Sequence, residues 1–434
     1  MAWITKKLGE ICEEIISGDW GTEREKTGSV LCKVIRGTDF ILAQKGKLSE
    51  FPDRYIDIEK FEKIKLKQGD ILVEISGGSK DQPTGRILFW DRNETIPIAF
   101  SNFVKKILLN TEIVEPKFFF RYWQFLYFKG ITKNYEDRTT NIRNFKLKEF
   151  LENEEIPIPP LPIQQKIVQI LDTIQSAVEI QEKIIEKTKE LKRAVTVELF
   201  KYGAPSFRKG RKLKKTEIGE IPEDWEVVRL GDKKKGEPLI LTLRNGLTYK
   251  QHELQESGIP ITRIETIADG KIDFKKIGYL KNIDQNLLEK YKLKKGDILF
   301  SHINSEIHLG KTAIYLEDEK FILHGMNLLL IRPNSKFIDS KFLNYLFNWY
   351  KDNGIFISIA SRAVNQASIN QNTLKNLKLP LPPLPEQQEI AEILQTIDQK
   401  IEIEKKKKEL YEELFKTMLN KIMNQEIDVE KLEV

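Results

Sequence analysis

Beyond Pro162 the apolar positions fall at Ile167, Ile170, Leu171, Ile174, Val178, Ile184, Ile185, Leu191, Val195 and Leu199. Beyond Pro385 they fall at Ile390, Ile393, Leu394, Ile397, Ile401, Leu410, Tyr411, Leu414, Met418 and Ile422. Steps of three and four put each set on one face of a helix, with charged residues on the other. The pattern predicts two helices of about 38 residues, each about 57 Å long at about 1.5 Å per residue. Each opens with proline in its first turn, where the missing N–H costs nothing. Gly203, Ala204 and Pro205 stop the first. Glu386 and Glu389 bring negative charge to the start of the second, which the helix dipole favours. A lone helix of this length leaves its apolar stripe in water, so the two are expected to pack as an antiparallel coiled coil. The stripes do not match throughout: Lys407 and Lys408 fall where the first helix has Ile184 and Ile185.

The lead-ins to these helices are near copies. "IPIPPLPIQQKI" from Ile156 and "LPLPPLPEQQEI" from Leu379 share eight of twelve positions at a spacing of 223 residues. Fainter copies precede them in the same order: "WITKKLGEI" at Trp3 and "WEVVRLGDK" at Trp225, "LKQGDILVEISGG" at Leu66 and "LKKGDILFSHINS" at Leu293, "PKFFFRYW" at Pro116 and "SKFLNYLF" at Ser340. Each half has short β-rich runs split by glycine turns, then an aromatic helix, then the proline-rich exit. The expected fold class is α+β, with two mixed α/β domains separated by two long helices in a pseudo-two-fold internal duplication. The expected segments are 1–155, 156–203, 204–378 and 379–434, the second and fourth being the lead-ins with their helices.

Composition narrows the class. Hydrophobic residues make up 40% and charged residues 31%, a globular rather than a disordered balance. No apolar run reaches the roughly 20 residues that span a bilayer, so no membrane partner is expected and the cytoplasm is the default. Cys12 and Cys32 are too few for a disulfide framework or a cysteine-based zinc site. The net charge of +6 is uneven, at about +9 over 204–378 and about −5 over 379–434. A basic segment of that kind suits a polyanion, although a solvated lysine-rich surface explains it equally well.

The repeated "PLPPLPEQQ"-like lead-ins, the "TEIGEIPEDWEVVRLGD" stretch from Thr216 to Asp232 and the two "GDIL" strands resemble the specificity subunit of type I restriction–modification systems, over essentially the whole chain. The resemblance implies two target-recognition domains, each reading half of a bipartite site in double-stranded DNA. It implies helices that set the spacer and hold two methyltransferase subunits, with restriction/translocase subunits joining for cleavage. The glutamine pairs Gln164–Gln165 and Gln387–Gln388 are the candidates for partner binding. No catalytic residue, metal or cofactor is expected in this chain; the adenine-N6 methyltransferase and deoxyribonuclease activities, with S-adenosylmethionine, ATP and Mg, are expected in the partner subunits. The first lead-in departs from the second, with Ile163 and Lys166 where the second has Glu386 and Glu389.

The motifs fit a non-catalytic chain. Pro159–Pro160 and Pro382–Pro383 are preceded by Ile or Leu, without the carboxylate or amide that would hold a flipped adenine. "SEIHLGKT" from Ser305 lacks the first glycine of a phosphate loop. Base readout needs amide, guanidinium and hydroxyl groups on loops that can enter a groove. "SGGSKDQPTGR" carries Ser79, Lys80, Gln82 and Arg86, and its counterpart "SHINSEIHLGK" carries His302, Asn304, Ser305, His308 and Lys311. A second pair of stretches carries Arg138, Asn141 and Arg143 in one half, and Arg362, Asn365 and Gln366 in the other. Solvated hairpins and structural loops are the rival readings. The rival function is a coiled-coil scaffold whose α/β domains bind protein.

Overall fold

The computed structural model describes residues 3–78, 82–137, 143–268, 270–317, 320–363 and 366–432. Two compact units divide the chain. One comprises residues up to Glu182 together with those from Lys406 onward, and the other runs from Lys183 to Lys405. The predicted helices are continuous at Leu161–Tyr202 and Leu384–Met423, so each contributes one stretch to each unit.

In the first unit a four-stranded antiparallel sheet orders Cys12–Ser17, Val104–Leu109, Ile71–Glu74 and Ile87–Phe89. The aromatic helix Pro116–Phe128 lies over it. Proline stands in its first turn, and the Glu115 side chain accepts from the Phe118 amide at 2.5 Å. Its buried face, with Phe118, Phe119 and Trp123, shares one core with Ile167 and Leu171 of the first long helix and Phe415, Leu419 and Ile422 of the second. The early part of one long helix thus meets the late part of the other. A second sheet joins Asp53–Asp57, Ser29–Ile35 and Ile98–Phe100, the last pair parallel.

The other unit repeats this plan. Ile240–Asn245, Leu328–Pro333, Ile298–Ser301 and Thr312–Ile314 are neighbours in a six-stranded sheet. Helix Ser340–Asp352, capped by Asp339 at the Phe342 amide, lies against it. Here Lys192 meets Asp398 at 2.6 Å, and the Ala204 amide meets Glu386 at 3.1 Å. Residue numbers rise on one helix as they fall on the other, so the pairing is antiparallel.

The proline-rich lead-ins are more than stiff spacers. Glu155–Ile158 pairs antiparallel with Ile4–Lys7, and Lys378–Leu381 pairs in the same way with Glu226–Arg229. Each domain's exit is hydrogen-bonded to an early strand of the same domain, which fixes the direction in which the chain reaches Pro-Pro and the helix. Among the described residues no helix is long and apolar enough to cross a membrane.

Candidate nucleic-acid interface and helix starts

In each unit the two candidate loop stretches converge on one small sheet. In the first unit Ser76–Gly77, Arg143–Phe145 and Glu136–Asp137 form it, with Gly77 opposite Arg143. In the second, Ile303–Asn304, Gln366–Ser368 and Ser361–Ala363 do, with both Asn304 and Arg362 opposite Ala367. Nothing in the sequence joined these stretches, which lie about sixty residues apart in each half. A strand of two or three residues has too short a pattern to be read.

Two buried carboxylates anchor the first of these sheets. Glu74 is fully buried and takes Arg86 in a fork, with contacts of 2.8 and 2.5 Å. Glu136 accepts from the Thr84 amide at 2.7 Å and from Arg143 at 3.0 Å. Arg86 and Arg143, both expected at the DNA, thus each hold a carboxylate of their own domain. Both guanidinium groups face inward, where leaving a buried carboxylate unpaired would be costly. Gln82 is exposed. Ser79, Lys80, Arg138, Asn141 and Asn365 lie outside the described residues.

The second unit lacks the fork. The Glu74 amide donates to the Arg86 carbonyl, and the Ser301 amide donates to the Lys311 carbonyl at the same place. Ser301 therefore replaces Glu74, and Lys311 replaces Arg86. Asn304 steadies the loop by accepting from the Ser305 amide at 2.8 Å. Ser305 and His308 are exposed at the loop tip, and Lys311 is half-buried. Arg362 is exposed and bridges to Glu306 across the two stretches at 3.1 Å. His302 is buried, and that burial lowers its pKa, so it sits beneath the loop rather than at its tip. Gln366 lies in the central strand. Thr312 opens a strand rather than a helix, which ends the phosphate-loop comparison. Among the described residues no group of three or more His, Cys, Asp or Glu could hold a metal ion.

The helix starts carry a repeated clamp. Gln164 donates to the Ile113 and Pro159 carbonyls at 3.0 and 2.8 Å and accepts from the Glu115 amide at 2.8 Å. Gln387 donates to the Phe337 and Pro382 carbonyls at 2.9 and 2.8 Å and accepts from the Asp339 amide at 2.9 Å. Both side chains are fully buried. Each ties its long helix to the residue that caps the aromatic helix. Of the two glutamine pairs expected at a partner, Gln164 and Gln387 are thus occupied within the fold, and Gln165 and Gln388 are exposed. The repeat itself carried the signal: an identical glutamine after an identical Pro-Pro suits an internal fit as well as a partner. Glu386 also faces inward. It takes Arg211, the Trp225 indole N–H at 2.9 Å and the Ala204 amide at 3.1 Å. The first half has Ile163 at that position, packed against its core.

The family model described as the type I restriction modification DNA specificity domain matches residues 2–190 and again 222–413. The chain belongs to this family. The two copies of the specificity domain each span an α/β domain and most of the long helix that follows it. A Methanocaldococcus jannaschii protein provisionally assigned as the type I restriction enzyme MjaX specificity subunit is 53% identical over 216 residues, which is 50% of this chain and 49% of that protein. The type I restriction enzyme MjaVIII specificity subunit of the same organism is 33% identical over 66% of this chain and 65% of its own length. The chain thus spans about half to two thirds of the length of these relatives. The crystal structure of a type I restriction–modification S subunit from M. genitalium superposes with a TM-score of 0.55 at 15% identity, covering 96% of this chain and 95% of that one. A structure from work on complex assembly and conformational transition of the type I system gives 0.55 at 18%, covering 97% of each chain. These likenesses speak for the fold.

Proposed function

We propose that the chain is the DNA-reading subunit of a type I restriction–modification complex. Each unit reads one half of a bipartite site in double-stranded DNA. The long helices set the gap between the halves and, with Gln165 and Gln388 on their outer faces, meet two methyltransferase subunits; restriction/translocase subunits join for cleavage. Chemistry on the DNA, with S-adenosylmethionine, ATP and Mg, belongs to those partners, which work in the cytoplasm with this chain. The convergence of two candidate loop stretches on one small sheet in each unit carries this reading. In the second unit Asn304, Ser305, His308, Lys311 and Arg362 stand on or beside that sheet, and they include the hydroxyl, amide, imidazole and cationic groups that base edges require. The proposed base-reading set is Gln82 with Ser79, Lys80, Arg138 and Asn141 in the first half. In the second it is Asn304, Ser305, His308, Lys311, Arg362, Asn365 and Gln366, with His302 beneath them.

The test is an exchange. Replacing residues 1–155 with the equivalent segment of another family member should change one half of the methylated sequence and leave the other intact. A change in both halves together would show that the units do not read independently.

A further inference from the structure

We propose that Arg36 and Arg263 are one and the same contact made twice: each grips a DNA backbone phosphate. The inference rests on the DNA-reading function and adds residues that neither loop stretch contains.

The two arginines stand 227 residues apart in "VIRGTDF" and "ITRIETI", the same offset that relates Glu74 to Ser301. Each follows a strand that makes a parallel contact, Ile35 with Phe100 within a strand pair and Ile261 with Leu323 as a single bridge. Each stands extended (φ −100°, ψ 164° and φ −124°, ψ 170°) just before a single 3-10 turn, Gly37–Asp39 or Ile264–Thr266. In both turns the third residue's amide donates back to the arginine carbonyl, at 2.9 and 3.0 Å. That residue's side chain also accepts from the arginine amide: Asp39 at 2.9 Å and Thr266 at 2.7 Å. The second turn closes with a hydroxyl, so the fold needs no guanidinium–carboxylate pair there. The arginine is kept all the same.

Its side chain is held and yet presented. Arg36 forks onto Asp39 through Nε and one terminal nitrogen at 2.8 and 2.9 Å, with 47% of its side chain exposed. One edge of the guanidinium is thereby fixed while the remaining N–H groups face solvent, so little side-chain freedom is left to lose on binding. Arg263 leans on Glu265 at 3.2 Å and lines a shallow basin with Lys275, Lys276 and Ile277. In the first unit the turn abuts the loop sheet. A Cβ on Gly37 would fall 2.5 Å from Glu74 Oε1, the carboxylate that anchors that sheet.

The choice of phosphate follows from comparing the halves. The loops differ at nearly every candidate position, Arg86 against Lys311 and Gly77 against Asn304, as domains that read different bases would. A residue held constant in type and setting suits what all half-sites share, and that is the backbone.

The test uses the full chain and measures affinity for a panel of random-sequence duplexes across a salt series. R263A is the primary variant, because its partner Glu265 lies at the surface. R36Q/D39N replaces the other pair with two amides and leaves no lone buried charge. Each should weaken every duplex by the same factor and make the log–log salt slope shallower by about one, with melting unchanged. R263K should restore the slope. An unchanged slope in a folded R263A chain overturns the inference, and so does a loss of preference confined to one base position. If the wild-type chain bound no duplex, the DNA-reading function itself would fail and take this contact with it.

Discussion

Arg86 and Lys311 occupy one position in the two halves and differ in what they hold. Removing Arg86 strands a fully buried Glu74 carboxylate, so R86A should cost about 3–5 kcal/mol of stability. Lys311 forms no ion pair among the described residues, so K311A should leave melting within about 0.5 kcal/mol of wild type and weaken DNA binding. Calorimetry beside binding assays separates the two; an unchanged melt with altered base preference in R86A would reverse the assignment. His324 gives a second contrast. It is buried where the first unit has Phe100, and burial pushes its pKa down to about 3, with the Leu328 carbonyl opposing and the Arg244 and His302 charges assisting. An unfolded histidine titrates near 6.5, so below that pH the unfolded chain takes up a proton that the folded chain refuses. Stability is then lost as pH falls from about 6.5 toward 3, by about 1.4 kcal/mol per pH unit. H324F should flatten this limb after a pH-independent offset for the Leu328 carbonyl it leaves behind, with His302 supplying the residual slope. An equally steep loss of melting temperature between pH 6.5 and 5 in H324F would exclude His324 as its source.

At the scale of elements, the lead-in and the clamp act together. The strand Glu155–Ile158 or Lys378–Leu381 sets the direction of the exit, and the buried glutamine then bolts the first helical turn to the cap of the aromatic helix. Q164A and Q387A each leave an amide and two carbonyls without partners in a buried site, at a cost of roughly 3 kcal/mol. Q165A and Q388A, on the exposed neighbours, should melt as wild type and lower capture of the methyltransferase subunit in a pull-down. Normal melting of Q164A would mean that the clamp is not needed. The long helices were legible because a three-and-four step sustained over ten positions has no competing explanation, and the repeat was legible because proline and glutamine spacing is unambiguous. The burial of Gln164 and Arg86 was not. A polar residue's type says what it can bond, and only the fold says whether the partner is its own backbone or another molecule. The Glu74–Arg86 fork joins residues twelve apart across a turn, and no periodicity marks it. The three-stranded loop sheets were hidden for a similar reason, since strands so short are made by tertiary pairing rather than by local pattern.

For the whole molecule, the helices are proposed as the ruler of the bipartite site, and their geometry gives the proposal a number. They run for 42 and 40 residues without a break. In the second unit the pairs 192–398 and 204–386 fix an antiparallel register. A cut that preserves this register removes residues 185–191 from one helix and 399–405 from the other. Seven residues are nearly two turns, so each apolar stripe returns within about 20° of its old direction. The helices shorten by about 10.5 Å, which is about three base pairs at roughly 3.4 Å per step. Methylation profiling of the shortened complex should find both half-sites unchanged and the gap between them reduced by about three. Cutting seven residues from one helix alone would oppose unlike stripes over the rest of the pair, and destabilisation is expected there rather than a new gap. If the matched cut folds, methylates and keeps the original gap, the spacing is set by the partner subunits, and the duplicated lead-in serves only to dock each helix on its own domain.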